Sequence, residues 1–355
     1  MITIQHSGPW IVDDDVDAVA RVLRSRMLAQ GTLTAELERR LASWCCVAGG
    51  VAVASGSAAI ELALRALKVE GGDVVLPTYV CRSVLEAVVS AGARPILGDV
   101  GEDWVMEPAN VASVITKTTR CIIVPHMYGV FADIDAFRAF GVPLLEDAAQ
   151  AVGSARTRPT VADVAVFSLH PTKCLTAGEG GCAVSHNAAL LAEMRKLRDG
   201  HPGGTASRMF SPLPDVSAAL ALSQLERYAD FLRRRAMIAS KYDRALGPER
   251  QRLARPTMHF RYVVRVPGGH AAVVDAFAAR GVAIRKGVDE LLHRLVGMRD
   301  SEFPVAVRHF EASVSLPIYP ALSDDEIACC ATAAAAVLGP TSRTKSERRS
   351  DEQAV

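Results

Sequence analysis

Asp147 and Lys173 are charged residues set where a charge needs a partner. Leu144 and Leu145 read as the end of a buried strand that runs into Glu146 and Asp147, whereas Lys173 follows a second strand-like run at 164–167 and precedes a glycine-rich turn at 178–181. An acid at one strand end and a lysine just past another suit pyridoxal phosphate: the lysine joins the aldehyde and the acid faces the protonated pyridine nitrogen. Such a lysine must be reachable by substrate and have a depressed pKa, which partial burial beside a cationic ring supplies. Taken alone, Lys173 reads first as a surface residue on a turn, and Asp147 with Glu146 equally as a capping pair. Their neighbours favour the chemical reading. Gln150 lies on the same side as Asp147 if a helical turn begins there, within reach of a ring hydroxyl. Ser168 and His170 stand just before the lysine.

A phosphate also needs a place. Residues 51–54 read as a short strand, followed at once by Ser55-Gly56-Ser57 and an amphipathic helix over 58–67. A strand, a small-residue turn and a helix start bring free backbone N–H groups and the positive helix end to one point, which favours an anion. Gly56, Ser57 and Ala58 are therefore the expected cradle; an N-cap role for Ser57 is compatible with that. The 178–181 turn does not stand between a strand and a long helix, which excludes a dinucleotide loop. His126 and His170 could be bases, metal ligands or structural histidines. No acidic or cysteine cluster at ligand spacing accompanies them, so no metal is expected, and His170 stands as a candidate base.

The elements that must position these groups follow from the pattern. The 355 residues are 50% hydrophobic and 22% charged with a net charge of +1, the balance of a globular protein with a large core and no nucleic-acid or membrane-surface signal. Eight cysteines lie mostly in apolar runs and never in a CxxC spacing, which points to reduced, buried thiols and a cytoplasmic location. The N-terminus lacks a basic or apolar leader pattern, and no uninterrupted apolar stretch of about 18 residues occurs.

Helices are expected at 13–26 and 34–44, the first after a run of aspartates. Strands at 73–77, 94–99, 121–124 and 144–147 alternate with helices at 79–91, 111–115 and 134–140. Continuous apolar strands alternating with helices predict an α/β fold with a mostly parallel sheet covered on both faces, its ligands at the carboxyl ends of the strands. A helix over 190–197 leads to a loop at 201–204, and a single long helix is expected over 216–245. Short strands and helices follow, and the polar tail 341–355 reads as disordered. The domain reading is a large cofactor domain at 1–235, a small C-terminal α+β domain at 236–340 and the tail.

The motifs VASGSAAIELALRAL, P-T-Y at 77–79, AGARPILGDV, VPHMYG, EDAAQAVGS, FSLHPTK and GEGG occur in an order and spacing that resembles the DegT/StrS family of PLP-dependent sugar aminotransferases. The resemblance is good over 10–230 and weaker beyond, through SLPIYPALSDDEI at 315–327. It implies a type I aminotransferase fold, a homodimer with shared active sites, and transfer of an amino group from glutamate or glutamine to a keto sugar or cyclitol. By motif position Lys173 matches the cofactor-bearing lysine, Asp147 the pyridinium partner, Gln150 the residue beside the ring hydroxyl, and Ser168 with Gly56, Ser57 and Ala58 the phosphate ligands. The family's dehydratase branch has histidine in place of the lysine, so Lys173 argues for transamination.

Two departures stand out. The family often stacks an aromatic residue on the cofactor ring where this chain has Cys81, so either Tyr79 helps to hold the ring or the ring has no aromatic partner there. Many members also carry a G-Y-N-Y-R-type segment whose asparagine reaches the partner's phosphate. Here 208–215 reads RMFSPLPD, with Ser211 or Arg208 as substitutes. That departure motivates an alternative, a PLP-dependent elimination, cyclisation or other carbanion reaction on an amino acid; a non-catalytic regulatory homologue is the third reading. Arg285, Lys286 and His293 are cations that suit a substrate phosphate or carboxylate, or else form a solvated face.

Overall fold

The computed structural model describes residues 4–152, 162–200, 211–247 and 258–339. The expected loop at 201–204, Arg208 and the tail lie outside the described residues. Seven strands form the central sheet: β1 (Gly49–Val53), β2 (Asp73–Pro77), β3 (Arg94–Gly98), β4 (Thr119–Pro125), β5 (Leu144–Asp147), β6 (Val164–Ser168) and β7 (Gly181–Ser185). Their order is β1-β7-β6-β5-β4-β2-β3. β2 to β6 run parallel, and β7 runs antiparallel to both β1 and β6. The sheet is thus mostly parallel, as expected, with one reversed strand. The run Gly181–Ser185 is that reversed strand and is hidden in the sequence, because its glycine-rich start looks like a turn.

Burial explains the strand composition. β2, β6 and β7 are buried along their whole length, which a two-sided cover of helices requires of a parallel sheet. The helix Gly56–Ala66 packs on β6 and β7 and buries Ala59, Ile60, Leu62 and Ala63. Its start is earlier than the pattern indicated. Ser55, not Ser57, is the N-cap, its hydroxyl accepting the Ala58 N–H at 3.1 Å.

The expected single helix over 216–245 is two, Asp215–Glu226 and Tyr228–Leu246, broken at Arg227. At the break, Arg227 Nη2 donates to Asp15 at 2.6 Å and its guanidinium lies over the rings of Trp10 and Phe231. The helix expected over 79–91 is Arg82–Ser90, leaving Tyr79 in the strand-to-helix turn, and the stretch Ile134–Phe140 is a 3-10 helix.

A second sheet has the order β8-β10-β9, from β8 (Tyr262–Arg265), β9 (Arg285–Lys286) and β10 (Ser313–Leu316), all antiparallel. Its own apolar cluster includes Tyr242, Phe277 and Leu316, and it also takes in Ile4, whose backbone bridges Val282. No helix among the described residues is long and apolar enough to cross a membrane.

Candidate active site

The carboxyl ends of β5 and β6 bring Asp147 and Ser168 to one edge of the central sheet, with Asp147 opposite Val166 in the parallel pair. Lys173 lies on the loop that joins β6 to β7. That loop is closed at its base by Leu169 N–H to Gly180 O (2.8 Å) and Ala177 N–H to Leu169 O (2.9 Å), and Lys173 N–H donates to His170 O at 2.8 Å. The lysine is therefore held on a short, braced arch. Its Nζ stands 5.4 Å from the centre of the Phe260 ring.

The two charges affect each other. Burial pushes the Asp147 carboxyl above its usual range, and the opposing influences are the Ala149 N–H on its Oδ1 (3.0 Å) and the nearby Lys173. Burial likewise pushes the Lys173 ammonium below its usual range, opposed first by Asp147 and then by Cys81, with Arg261 adding to the depression. Among the described residues, the second oxygen of Asp147 has no hydrogen bond. A buried carboxylate left half-satisfied calls for a cationic donor. A protonated pyridine nitrogen is such a donor.

The phosphate end is built by close approach of three backbone segments. A Cβ added to Gly56 would lie 2.8 Å from Ser168 Cβ and 3.1 Å from its Oγ; one on Gly181 would lie 2.2 Å from the Ser55 carbonyl oxygen. Gly56 thus lets the helix start reach Ser168, and Gly181 lets β7 pass under the Ser55 turn. The helix N-terminus at Gly56, Ser57 and Ala58 is half-buried and opens toward Ser168. Ala54 N–H donates to the Ser211 carbonyl at 3.1 Å, so the 211–212 segment pairs beside this turn by its backbone.

Other expected residues sit elsewhere. Gln150 Oε1 accepts the Tyr128 N–H at 2.7 Å, and its Nε2 donates to Met127 Sδ at 3.9 Å. No helix follows Asp147, so Gln150 reaches this place through a turn. Tyr79 does not join the group: it is fully buried, its hydroxyl bonded to that of Tyr128 at 2.9 Å and its ring packed near His309. The residue of that stretch whose charge bears on Lys173 is Cys81, exposed at the N-cap of Arg82–Ser90.

His170 turns outward, 47% exposed, with Nδ1 accepting the Thr172 N–H and Nε2 3.7 Å from Glu179. A base must reach into the cleft, and this ring faces solvent. His126 is buried instead, its Nδ1 accepting the Ala132 N–H at 3.0 Å, so that Nε2 carries the hydrogen and donates to Glu146 at 2.7 Å. His293 is also buried, between Thr78 and Asp300 with its ring stacked on Phe303, and is no substrate cation. Lys286 lies over the Phe310 ring.

Phe260 and Arg261 are neighbours of Lys173 that sequence reasoning passed over. The available signal was a basic residue lodged in an aromatic run, HFRY, at the entry to a strand.

A model of the DegT/DnrJ/EryC1/StrS aminotransferase family matches residues 9–334. The chain belongs to that family. It is a pyridoxal-phosphate-dependent aminotransferase with the type I fold. Among solved structures it is similar to Spr1654 of Streptococcus pneumoniae, assigned as a sugar aminotransferase and determined in its PMP form, at 27% identity over 95% of this chain and 98% of that one, TM-score 0.86. It is similar to the aminotransferase TlmJ of Streptoalloteichus hindustanus at 29% identity, over 94% of this chain and 98% of that one, TM-score 0.85. PseC of Helicobacter pylori, an aminotransferase of pseudoaminic acid biosynthesis, shares the fold at 19% identity, over 95% and 99% of the two chains, TM-score 0.85. That family binds pyridoxal phosphate.

Proposed function

We propose that this aminotransferase moves an amino group from an amino acid, glutamate or glutamine, to a keto sugar or cyclitol in the making of a secondary metabolite or glycan. The observation that carries the reading is the pairing of a half-satisfied buried acid, Asp147, with a burial-depressed lysine, Lys173, at one sheet edge. When bound, pyridoxal phosphate supplies an electron sink for the carbanion formed at the donor's α-carbon.

The chain's own residues do the rest. Asp147 holds the proton on the pyridine nitrogen, which its location in a low-dielectric setting makes strong. The helix start at Gly56, Ser57 and Ala58 would hold the phosphate through the Gly56 and Ser57 N–H groups and the Ser168 hydroxyl, the Ala58 N–H being donated to the Ser55 cap. Gln150 turns its amide toward the ring hydroxyl. Lys173, depressed toward its free-amine form, takes the proton from the donor's α-carbon and returns it on the other side of the reaction. Its arch between β6 and β7 keeps the amine within reach of both positions.

The enzyme is read as a homodimer with shared sites. Ile11, Val16, Leu23, Met27 and Leu28 leave an exposed apolar strip, with Val16 and Leu23 one heptad apart on the same helix face. Light scattering that returned the mass of a single chain at micromolar concentration would refute the dimer. The central sheet with its helices and the β8-β10-β9 sheet are taken as a large and a small domain. Eight unpaired cysteines suit a reducing compartment, and we place the enzyme in the cytoplasm.

Incubating the PLP-loaded protein with glutamate or glutamine tests the core claim. The expected result is conversion of the cofactor to its amine form with a keto-acid co-product in equal amount; carbanion exchange without that co-product would overturn transamination.

A further inference from the structure

A lysine that carries a proton has two duties that pull in opposite directions. As a free amine it must take the proton, and as an ammonium it must stay at hand to give the proton back. A carboxylate in direct contact would hold the charge so firmly that the amine was scarce. With no partner at all, a buried ammonium would be too unfavourable to form.

Lys173 sits between these limits. Among the described residues its Nζ makes no hydrogen bond and no ion pair, and it stands over the Phe260 ring, 5.4 Å from the centre. Burial favours the free amine, and Asp147, acting from beyond ion-pair distance, favours the ammonium together with Cys81 and Cys174. Arg261 opposes the ammonium, and its guanidinium carbon lies 5.3 Å from the centre of the same ring. Burial lowers the Arg261 pKa to about 10, with Arg235 and Arg285 adding to the fall and Tyr128 and Asp289 opposing it, so Arg261 is still a cation at neutral pH.

The ring is fixed in place. Phe260 is buried, in one apolar cluster with Leu169, Cys174 and Tyr228. Its carbonyl accepts Arg235 Nη1 at 3.0 Å, as do those of His259 at 3.3 Å and Ile318 at 2.6 Å, and the Met258 N–H donates to the Gly129 carbonyl at 3.2 Å. The arch that carries Lys173 is braced at its own base, so both partners are positioned by backbone contacts. An aromatic face attracts a cation through its quadrupole and offers no directional acceptor. Such a face steadies an ammonium without locking it, and the amine is free to swing back toward the cofactor.

We propose that Phe260 is a positioning residue of the reaction, its ring face being where the Lys173 ammonium rests between taking the proton and returning it. This rests on the reading of Lys173 as the proton carrier given above. Because Lys173 carries the proton in both halves of the reaction, Phe260 serves the donor half and the acceptor half alike.

The test compares the full-length wild type with Phe260→Leu and with a protein carrying pentafluorophenylalanine in place of Phe260, which keeps the ring's shape and inverts its quadrupole. In the cofactor-free chain the lysines are methylated with a ¹³C label, and the Lys173 signal, identified by its loss in Lys173→Arg, is titrated by NMR. In the PLP-loaded enzyme the limiting rate of the donor half-reaction is followed by absorbance against pH, with L-glutamate or L-glutamine as donor. Phe260→Leu is expected to lower the ratio of ammonium to amine at a given pH by about 3- to 10-fold, within the range of a desolvated cation–π contact. The fluorinated ring should lower it further. The acid limb of the rate profile should move to lower pH by the same factor, while the half-saturating donor concentration stays within about threefold.

A fluorinated protein whose Lys173 titrates as the wild type does overturns the role of Phe260 and leaves that of Lys173 untouched. So does a shift seen with Phe260→Leu alone, which marks lost packing, or a shifted titration with an unmoved acid limb. A donor half-reaction that Lys173→Ala does not slow overturns the reading of Lys173, and the role of Phe260 with it.

Discussion

Asp147 and Asp15 are both buried aspartates, 6% and 1% exposed, yet their surroundings treat them in opposite ways. Asp15 also suffers desolvation, but the Ser223 hydroxyl (2.6 Å), the Val12 N–H (3.0 Å) and the Arg227 guanidinium (2.6 Å) outweigh it and hold the carboxyl below its usual range. Gln224 adds a further donor at 2.9 Å. Asp147 has one backbone N–H and is pushed up. A carboxylate whose lone pairs are filled by its own chain is finished when the chain folds. One left half-filled beside a lysine is completed by something that binds.

The sharpest way to break that comparison is to remove the charges nearest the chemistry. Lys173→Ala should abolish the visible absorbance of the lysine-bound cofactor and slow the donor half-reaction by on the order of 10²–10⁴-fold, the usual worth of a positioned proton carrier. An unchanged spectrum would remove Lys173 from its role. Asp147→Asn should cost on the order of 10²–10³-fold in the same half-reaction, with no loss of thermal midpoint in the cofactor-free protein.

Asp15→Ala should do the reverse. Turnover stays within about threefold, whereas stability drops by about 3 kcal/mol, because Arg227 is left without its acid. Denaturant unfolding alongside the half-reaction separates the two variants. Equal stability losses would show that the carboxylates are not of different kinds.

The signs with pH also differ. The depressed Asp15 gives stability that is fully present above the ordinary carboxylate value near 3.9 and is lost as pH falls through its lower folded value. The raised Asp147 costs stability, and that cost appears as pH rises through the same ordinary value. Unfolding midpoints from pH 3 to 7 should therefore show the Asp15→Ala deficit shrinking toward acid, and no deficit at any pH for Asp147→Asn.

The smallest effect is expected at the phosphate. Gly56→Ala places a methyl 2.8 Å from Ser168 Cβ, so either the helix start or Ser168 must give way. PLP affinity should fall by about tenfold, roughly 1.4 kcal/mol, in an equilibrium titration, with the absorbance of the loaded form retained.

Much of this site is legible along the chain because strand ends can be read from apolar runs. Asp147, Ser168 and the Ser55-Gly56-Ser57 turn each abut a largely buried strand, so their meeting at one sheet edge follows from a mostly parallel α/β architecture. Lys173 is legible through its neighbours: Ser168 and His170 precede it and a glycine-rich turn follows. Legibility ends where direction depends on packing. His170 and His293 have the right chemistry, but one ring faces solvent and the other is locked between Thr78 and Asp300. Tyr79 looks like a ring neighbour along the chain, and its hydroxyl is spent on Tyr128.

The sequence by itself determined the cofactor and the class of fold, and it picked out the strand-terminal residues proposed for each end of the cofactor, because both rest on residue type and order along the chain. Only the tertiary structure decided that Gly181 is bare to let β7 pass the Ser55 carbonyl, that Asp147 has no second donor among the described residues, and that Arg261, just before β8, reaches the same ring as Lys173. Those facts depend on side chains far apart in the chain meeting at ångström distances. Spacing along one strand carries no record of what lies across from it.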